Sequence, residues 1–166
     1  MAQMVQLGLR VVQFLLTLII MSLVGNMIAE AFGGNPSIIN YDMFVAVFSM
    51  LTLFYAILIC FRESLTFHRL VPASLDLLNA LFFFCAAVAM AAELRVHSCS
   101  NSDYTENNHI TNGSRNTAGR CREAQATTAF LWFNWALYMV ALVLSLTSSG
   151  GVNLRGPRRG PQMRQV

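Results

Sequence analysis

The sequence predicts an all-α protein, a four-helix transmembrane bundle with both termini in the cytoplasm and a long outer loop between the third and fourth helices. Hydrophobic residues make up 55% of the 166 positions and charged residues only 11%, whereas a soluble domain carries about 25% charged residues. The chain also contains four long apolar runs, and about 20 helical residues cross a hydrocarbon core of about 30 Å. These observations favour one membrane domain over residues 1–146, followed by a tail.

The first span is predicted at about residues 8–30. Its apolar run follows Arg10 and has few polar side chains. A basic residue, an apolar core and the small-x-small sequence at residues 29–31 are also typical of a cleaved signal peptide. Signal-peptide cores usually hold about 7–15 residues, so the longer run here favours a helix that is retained.

The second and third spans are predicted at about residues 41–61 and 70–93. A Gly-Gly-Asn-Pro sequence at residues 33–36 predicts a turn before the second span. Pro72 lies in the first turns of the third span, where a helix tolerates the missing N–H group.

The fourth span is predicted at about residues 124–146. The segment before it, residues 93–123, is rich in Asn, Ser, Thr and Gly and has no apolar period, which predicts a polar loop. Residues 147–166 contain Ser, Gly, Pro and Arg without apolar periodicity, so we expect a disordered cytoplasmic tail.

The distribution of arginine predicts the orientation. Two arginines lie between the second and third spans, four lie in the tail and Arg10 adjoins the apolar run of the first span, while residues 32–40 carry none. Because basic residues concentrate on the cytoplasmic side, both termini are expected there. The long loop also carries four arginines, but its two cysteines and the glycosylation sequon at Asn112 favour the extracytoplasmic side. Asn112 is therefore a candidate glycosylation site.

Cys99 and Cys121 bracket the long loop and are candidates for a disulfide. Closing a loop of this size removes about 3 kcal/mol of unfolded-state entropy in the chain model. A zinc site that combines them with His97 and His109 is an alternative, although a His-x-Cys pair is an unusual ligand spacing. Free thiols and solvated histidines are a third interpretation, and no cofactor is predicted.

Asp76 is an acid inside the third run, six residues or about 9 Å after Leu70. Asn79 shares its helix face, and Arg10 enters the membrane from the same side, so it is the expected partner. A structural contact is favoured over a role in binding a lipid headgroup or a substrate. A proton relay is disfavoured because no second acid is expected deep in another run, with Asp42 at the edge of its own.

Asn134 is the polar position predicted inside the fourth span, and small residues recur along the runs at helical spacing. Small residues favour close helix packing in lipid. Trp132 and Trp135 lie deeper than an interfacial belt, so packing is favoured over a lipid-facing groove. Cys60, at the cytoplasmic end of its span, is a candidate for palmitoylation.

Two classes of function are disfavoured. No basic stripe is interleaved with aromatic residues, so nucleic-acid binding is not expected. No nucleophile, base and carboxylate fall together on one side of the membrane, so an enzyme is not expected either.

The chain resembles the fungal non-classical export protein family, a branch of the MARVEL-domain tetraspan proteins. The resemblance extends from the first span to the fourth and is most specific in the long loop. Its motifs are Ile39-Asn40-Tyr41 with Met43-Phe44, Leu75-Asp76 with Leu78-Asn79, Arg95-x-His97-Ser98-Cys99, Ile110-Thr111-x-Gly113-Ser114, and Cys121-Arg122-x-Ala124-Gln125-Ala126 with Phe130-Leu131.

The resemblance implies a non-catalytic protein that organises furrow-like domains of the plasma membrane, the eisosome compartment, and responds to sphingolipid. Membrane lipids, sphingolipid or sterol among them, are the implied partners, together with further copies of the chain or other membrane-domain proteins. A small-solute transporter or channel and a membrane adaptor in unconventional secretion are the alternatives.

Overall fold

The computed structural model describes residues 2–61 and 70–149, and within them it is all helical. A short helix, α4, and a 3-10 turn at Thr111–Gly113 lie between the last two long helices. The helices are α1 (Ala2–Ala29), α2 (Ser37–Phe61), α3 (Leu70–Leu94), α4 (Ser102–Asn107) and α5 (Thr117–Ser149).

Four of these helices are long and apolar enough to cross a membrane, which makes the chain a multi-pass integral membrane protein. Their outward faces are apolar, as expected where lipid replaces water. Leu51 and Val143, for example, are exposed on the outside of the bundle. The candidate spans are Met4–Ala29, Ser37–Ile59, Val71–Leu94 and Thr117–Thr147.

The long helices form a four-membered ring. α1 packs against α2 and α5, and α3 packs against the same two helices. α1 and α3 therefore face each other across one diagonal, and α2 and α5 across the other. The predicted fold class, an all-α four-helix bundle, is confirmed. We call the half of the bundle next to α4 the outer half and the opposite half the inner half.

The second and fourth helices begin earlier than the predicted spans. α2 begins at Ser37 rather than residue 41, and α5 begins at Thr117 rather than residue 124. Hydropathy detects only the part of a helix that lipid covers, whereas backbone hydrogen bonds continue through polar turns. Asn116 caps the start of α5 by accepting a 2.9 Å hydrogen bond from the Gly119 N–H group.

The tail also begins later than predicted. α5 continues to Ser149, so residues 147–149 are helical rather than disordered. The remaining tail, residues 150–166, lies outside the described residues.

The loop between α3 and α5 is more ordered than its composition predicts. It holds α4, the 3-10 turn and a small buried centre that includes Thr105, Ile110 and Thr111. The Thr111 hydroxyl donates to the Thr105 carbonyl at 2.6 Å. The apolar pattern of the sequence does not predict this ordered region. Polar side chains, rather than an apolar helix face, form hydrogen bonds with its backbone and cover it.

Candidate functional site

A buried ion pair crosses the inner half of the bundle. Arg10 of α1 donates two hydrogen bonds to the two carboxylate oxygens of Asp76 on α3, at 2.6 and 2.7 Å. Both side chains are 3% exposed. The two helices lie on opposite corners of the ring, so the pair joins helices that do not pack directly. This bidentate contact fixes the guanidinium and carboxylate planes relative to each other.

Further polar side chains surround this pair. Arg10 also donates to the Gln13 side-chain oxygen at 3.2 Å. The Ser145 hydroxyl of α5 donates to Asp76 at 3.3 Å, and Gln6 donates to Ser145 at 3.1 Å. The carboxylate is thus held from α1 and α5 at once, which offsets the cost of removing both charges from water.

A second polar layer spans the other diagonal. The Ser49 hydroxyl of α2 lies 2.7 Å from the Tyr138 hydroxyl of α5 and 3.2 Å from the Thr17 hydroxyl of α1. Asn134 donates to Thr17 at 2.9 Å. Asn134, the polar residue predicted inside the fourth span, therefore belongs to this layer. Among the described residues, no hydrogen bond joins Asn134 to Asp76.

Asn79 joins α3 to α2. It donates to the Thr52 hydroxyl and to the Leu75 carbonyl, each at 2.9 Å. Its side-chain oxygen is buried without a hydrogen-bond partner. A cavity of about 10 Å³ adjoins Asn79, Asp76 and Tyr138. A cavity of this size holds no more than one water molecule, so it is too small for a lipid headgroup or a solute.

The hydrogen-bonded layers end in the middle of the bundle. Along the α1 face, Gln6, Arg10, Gln13 and Thr17 are followed by buried apolar side chains. The other helices add apolar side chains at the same depth. This apolar layer contains Ile20, Val24, Met27, Phe83, Met90 and Leu131. Within the described parts of the chain, hydrogen-bonded side chains therefore do not form a continuous path from one face of the membrane to the other.

One buried acid lies beyond this network and was missed in the sequence. Asp42 is 0% exposed, because α2 begins at Ser37 and places Asp42 more than a turn inside the helix. The expectation that no second acid lies deep in another span is therefore wrong. Hydropathy predicts that the second span begins at residue 41, which places Asp42 at the end of the helix, where water would solvate it.

The outer loop is attached to the bundle by a disulfide, by Arg120 and by further hydrogen bonds. Cys99 and Cys121 form a disulfide with a Cα–Cα distance of 5.6 Å. Because both sulfurs are bonded to each other, neither is a thiolate ligand, which contradicts the zinc alternative. His97 instead stacks on Tyr104, with ring centroids 4.5 Å apart. Burial raises the pKa of Tyr104, and its hydroxyl donates to the Leu94 carbonyl at the end of α3.

Arg120 is the second attachment and was missed in the sequence, where it counted only as a loop charge. It is 1% exposed. Its guanidinium donates to the Ile110 carbonyl at 2.6 Å and to the Met27 carbonyl near the end of α1. One side chain thus satisfies carbonyls of both the loop and the C-terminal turn of α1.

The modification candidates have different surroundings. The Asn112 side chain is exposed on the 3-10 turn, whereas Ser114 of the same sequon is 3% exposed. The side chain of Cys60 lies outside the described residues. Phe84, Trp132 and Trp135 pack on one another, with centroid distances of 5.6 to 5.9 Å.

Comparison with known proteins places this bundle in a class of four-span membrane proteins. Residues 3–144 match the MARVEL family, described as a membrane-associating domain. The chain belongs to this family. No solved structure matches it significantly.

The curated relatives are yeast proteins named for non-classical export. The chain is 37% identical over 165 residues to "Non-classical export protein 102" of Candida albicans, covering 95% of each. It is 36% identical over 139 residues to "Non-classical export protein 2" of Saccharomyces cerevisiae, covering 83% of this chain and 78% of the relative. A Schizosaccharomyces pombe homologue is 32% identical over 114 residues, covering 69% of this chain and 61% of the relative. The predicted family resemblance is confirmed.

Proposed function

We propose that this protein is a non-catalytic organiser of plasma-membrane domains of the eisosome type, acting through its lipid-facing surface. The observation that carries the proposal is the closed interior of the bundle. Its hydrogen-bonded polar layers stop in the middle of the bundle, and the cavity beside them is too small for a solute, so the outer surface is what remains to interact with other molecules.

Two clusters of aromatic side chains on that surface support the proposal. Phe44 and Phe48 of α2 meet Phe82 of α3 at centroid distances of 5.7 and 5.2 Å. Phe84 meets the tryptophans of α5 on another side. Broad, rigid rings present a fixed shape to acyl chains or to a neighbouring copy. We propose that sphingolipid or sterol, and further copies of the chain, bind there.

The first experiment follows a fluorescent fusion at the surface of intact fungal cells. We expect immobile plasma-membrane patches that change size when sphingolipid synthesis is inhibited. Phe84→Leu with Trp135→Leu should reduce patch lifetime. Val143→Leu, which alters a lipid-facing position without a ring, is the control. A uniformly diffusing wild-type protein, or equal effects of both changes, would argue against the proposal.

The names of the relatives favour a second candidate, a membrane adaptor in unconventional secretion. An adaptor would need an exposed segment that captures cargo, and the tail is the longest polar segment at the inner end of α5. Removing residues 150–166 should abolish export of a leaderless reporter if the adaptor role holds. Membrane patches should persist in that truncated chain under the first proposal.

A transporter or channel is disfavoured by the apolar layer. Flux of solutes in reconstituted vesicles is the direct measurement, and transport at rates above protein-free vesicles would restore that candidate.

A further inference from the structure

Asp42 is a buried acid with no hydrogen-bond partner for either carboxyl oxygen among the described residues. It contrasts with Asp76, whose oxygens accept bonds from Arg10 and Ser145. Buried polar groups are nearly always paired, so an unpaired acid inside a membrane span requires a physical explanation.

Helix geometry places Asp42 toward the bundle interior in the outer half. It precedes Ser49 by seven residues, which is about two helical turns and about 10 Å, so the two side chains share a face. Ser49 reaches Tyr138 across the diagonal. The partners of Ser49 are Thr17 and Tyr138. On α1, Val24 lies seven residues after Thr17, and on α5, Leu131 lies seven residues before Tyr138. Both are therefore near the depth of Asp42, and both are buried and apolar.

Among the residues that the structure describes, no opposite charge lies at this depth. Between Arg10 and Glu30, α1 has no titratable residue. Between Asp76 and Glu93, α3 has only Cys85, which is exposed on the outside of the bundle.

The remaining groups on α5 and α2 do not supply a cation either. After Glu123, the described part of α5 has only Tyr138, and α2 has Tyr41, Tyr55 and Cys60 besides Asp42. Glu123 accepts a 2.7 Å bond from Asn26, and the Arg120 guanidinium is directed to backbone carbonyls. An ionised Asp42 would therefore lack both donors and a counter-charge.

We propose that Asp42 is a proton-binding site that controls the outer half of the bundle. In the closed bundle the side chain is the neutral carboxylic acid, because an unpaired carboxylate among apolar side chains is strongly disfavoured. At alkaline pH the O–H bond breaks, the carboxylate keeps the electron pair and hydroxide takes the proton to form water. The new charge draws water between the outer ends of α1 and α2 and separates them.

Infrared spectroscopy of the full chain in lipid nanodiscs tests the protonation state directly. At neutral pH we expect a carbonyl stretch of a protonated carboxylic acid that shifts in D2O. The band should disappear in Asp42→Asn and persist in Asp76→Asn. Glu123→Gln is the matched control, because one oxygen of Glu123 is also buried without a partner. A wild-type protein without this band, or a band unchanged in Asp42→Asn, would overturn the proposal.

A second measurement does not depend on the spectrum. The Tm of the wild type should fall between about pH 4 and alkaline pH by more than the Tm of Asp42→Asn, because the unfolded chain releases the Asp42 proton above about pH 4 whereas the buried acid retains it. Asp42→Leu should behave like Asp42→Asn and should also be at least as stable as the wild type at alkaline pH. Parallel pH profiles for all three, or strong destabilisation of both variants at neutral pH, would show that Asp42 is an ionised structural residue.

Discussion

At the scale of single residues, Arg10 and Asp76 show how a membrane bundle accommodates charge. Both side chains are buried inside the bundle. Each carries the opposite charge that lowers the cost of burying the other. Such a pair contributes little net free energy relative to apolar packing, but losing one partner leaves an uncompensated charge. Its value lies in fixing which helices stand opposite each other.

The ion pair predicts a specific coupling. Asp76→Asn and Arg10→Gln should each lower the free energy of unfolding in detergent by about 3–5 kcal/mol. The double variant should lose less than the sum, because the second change removes a charge that is already unpaired. Glu106→Gln, which removes a charge from an exposed loop position, is the control. Strict additivity in this double-mutant cycle would mean that the two side chains act independently.

Arg120 is a second residue whose shape matters more than its charge. Arg120→Lys keeps the charge but cannot donate in two directions, so we expect a loss of about 1–3 kcal/mol from unpaired carbonyls. Thermal unfolding in detergent measures the loss. Arg122→Lys, two residues away and exposed, should have almost no effect on stability. An equal loss of stability in both variants would contradict the proposal that Arg120 stabilises the loop through its hydrogen bonds.

At the scale of elements, the outer loop depends on covalent and polar attachments rather than on an apolar face. The disulfide joins the segment after α3 to the first turns of α5, across a sequence separation of 22 residues. Asn108 adds a hydrogen bond to the Glu93 carbonyl at 2.9 Å. The loop is therefore fixed at the ends of the helices it connects.

Removing the disulfide should loosen the loop without preventing membrane insertion. Cys99→Ser is expected to lower stability by about 3 kcal/mol through unfolded-state entropy and to speed hydrogen exchange over residues 95–116. Insertion depends on the apolar runs and should not change. Cys85→Ser, at an exposed free cysteine on α3, should alter neither property. Unchanged hydrogen exchange over residues 95–116 in Cys99→Ser would mean that Arg120 and the polar contacts hold the loop in place without the disulfide.

At the scale of the whole molecule, two crossing polar layers close a ring of four helices. One layer joins α1 to α3 and the other joins α2 to α5, which are the pairs that do not pack directly. Small residues let neighbouring helices approach, and the polar side chains then select one arrangement of the ring. The outer half relies on apolar packing and contains the unpaired Asp42.

Orientation remains a prediction at this scale. A tag inserted after Asn112 should react with membrane-impermeant reagents on intact cells, and a tag at the C-terminus should react only after permeabilisation. If the sequon is used, Asn112→Gln should remove a glycosidase-sensitive mass shift, while Asn107→Gln in the same loop should not. Labelling of the C-terminal tag alone would reverse the arrangement.

The sequence by itself determined the number of membrane-spanning helices, the membrane class and the family, because long apolar runs and loop motifs are local features. It also singled out Arg10 as the partner of Asp76, since few charges enter the membrane from that side. Tertiary structure alone decided which helices are diagonal, that Arg120 is buried, and that Asp42 lies inside rather than at a helix end. These properties depend on where helices begin and on which faces meet, and neither is encoded in the hydropathy of a single run.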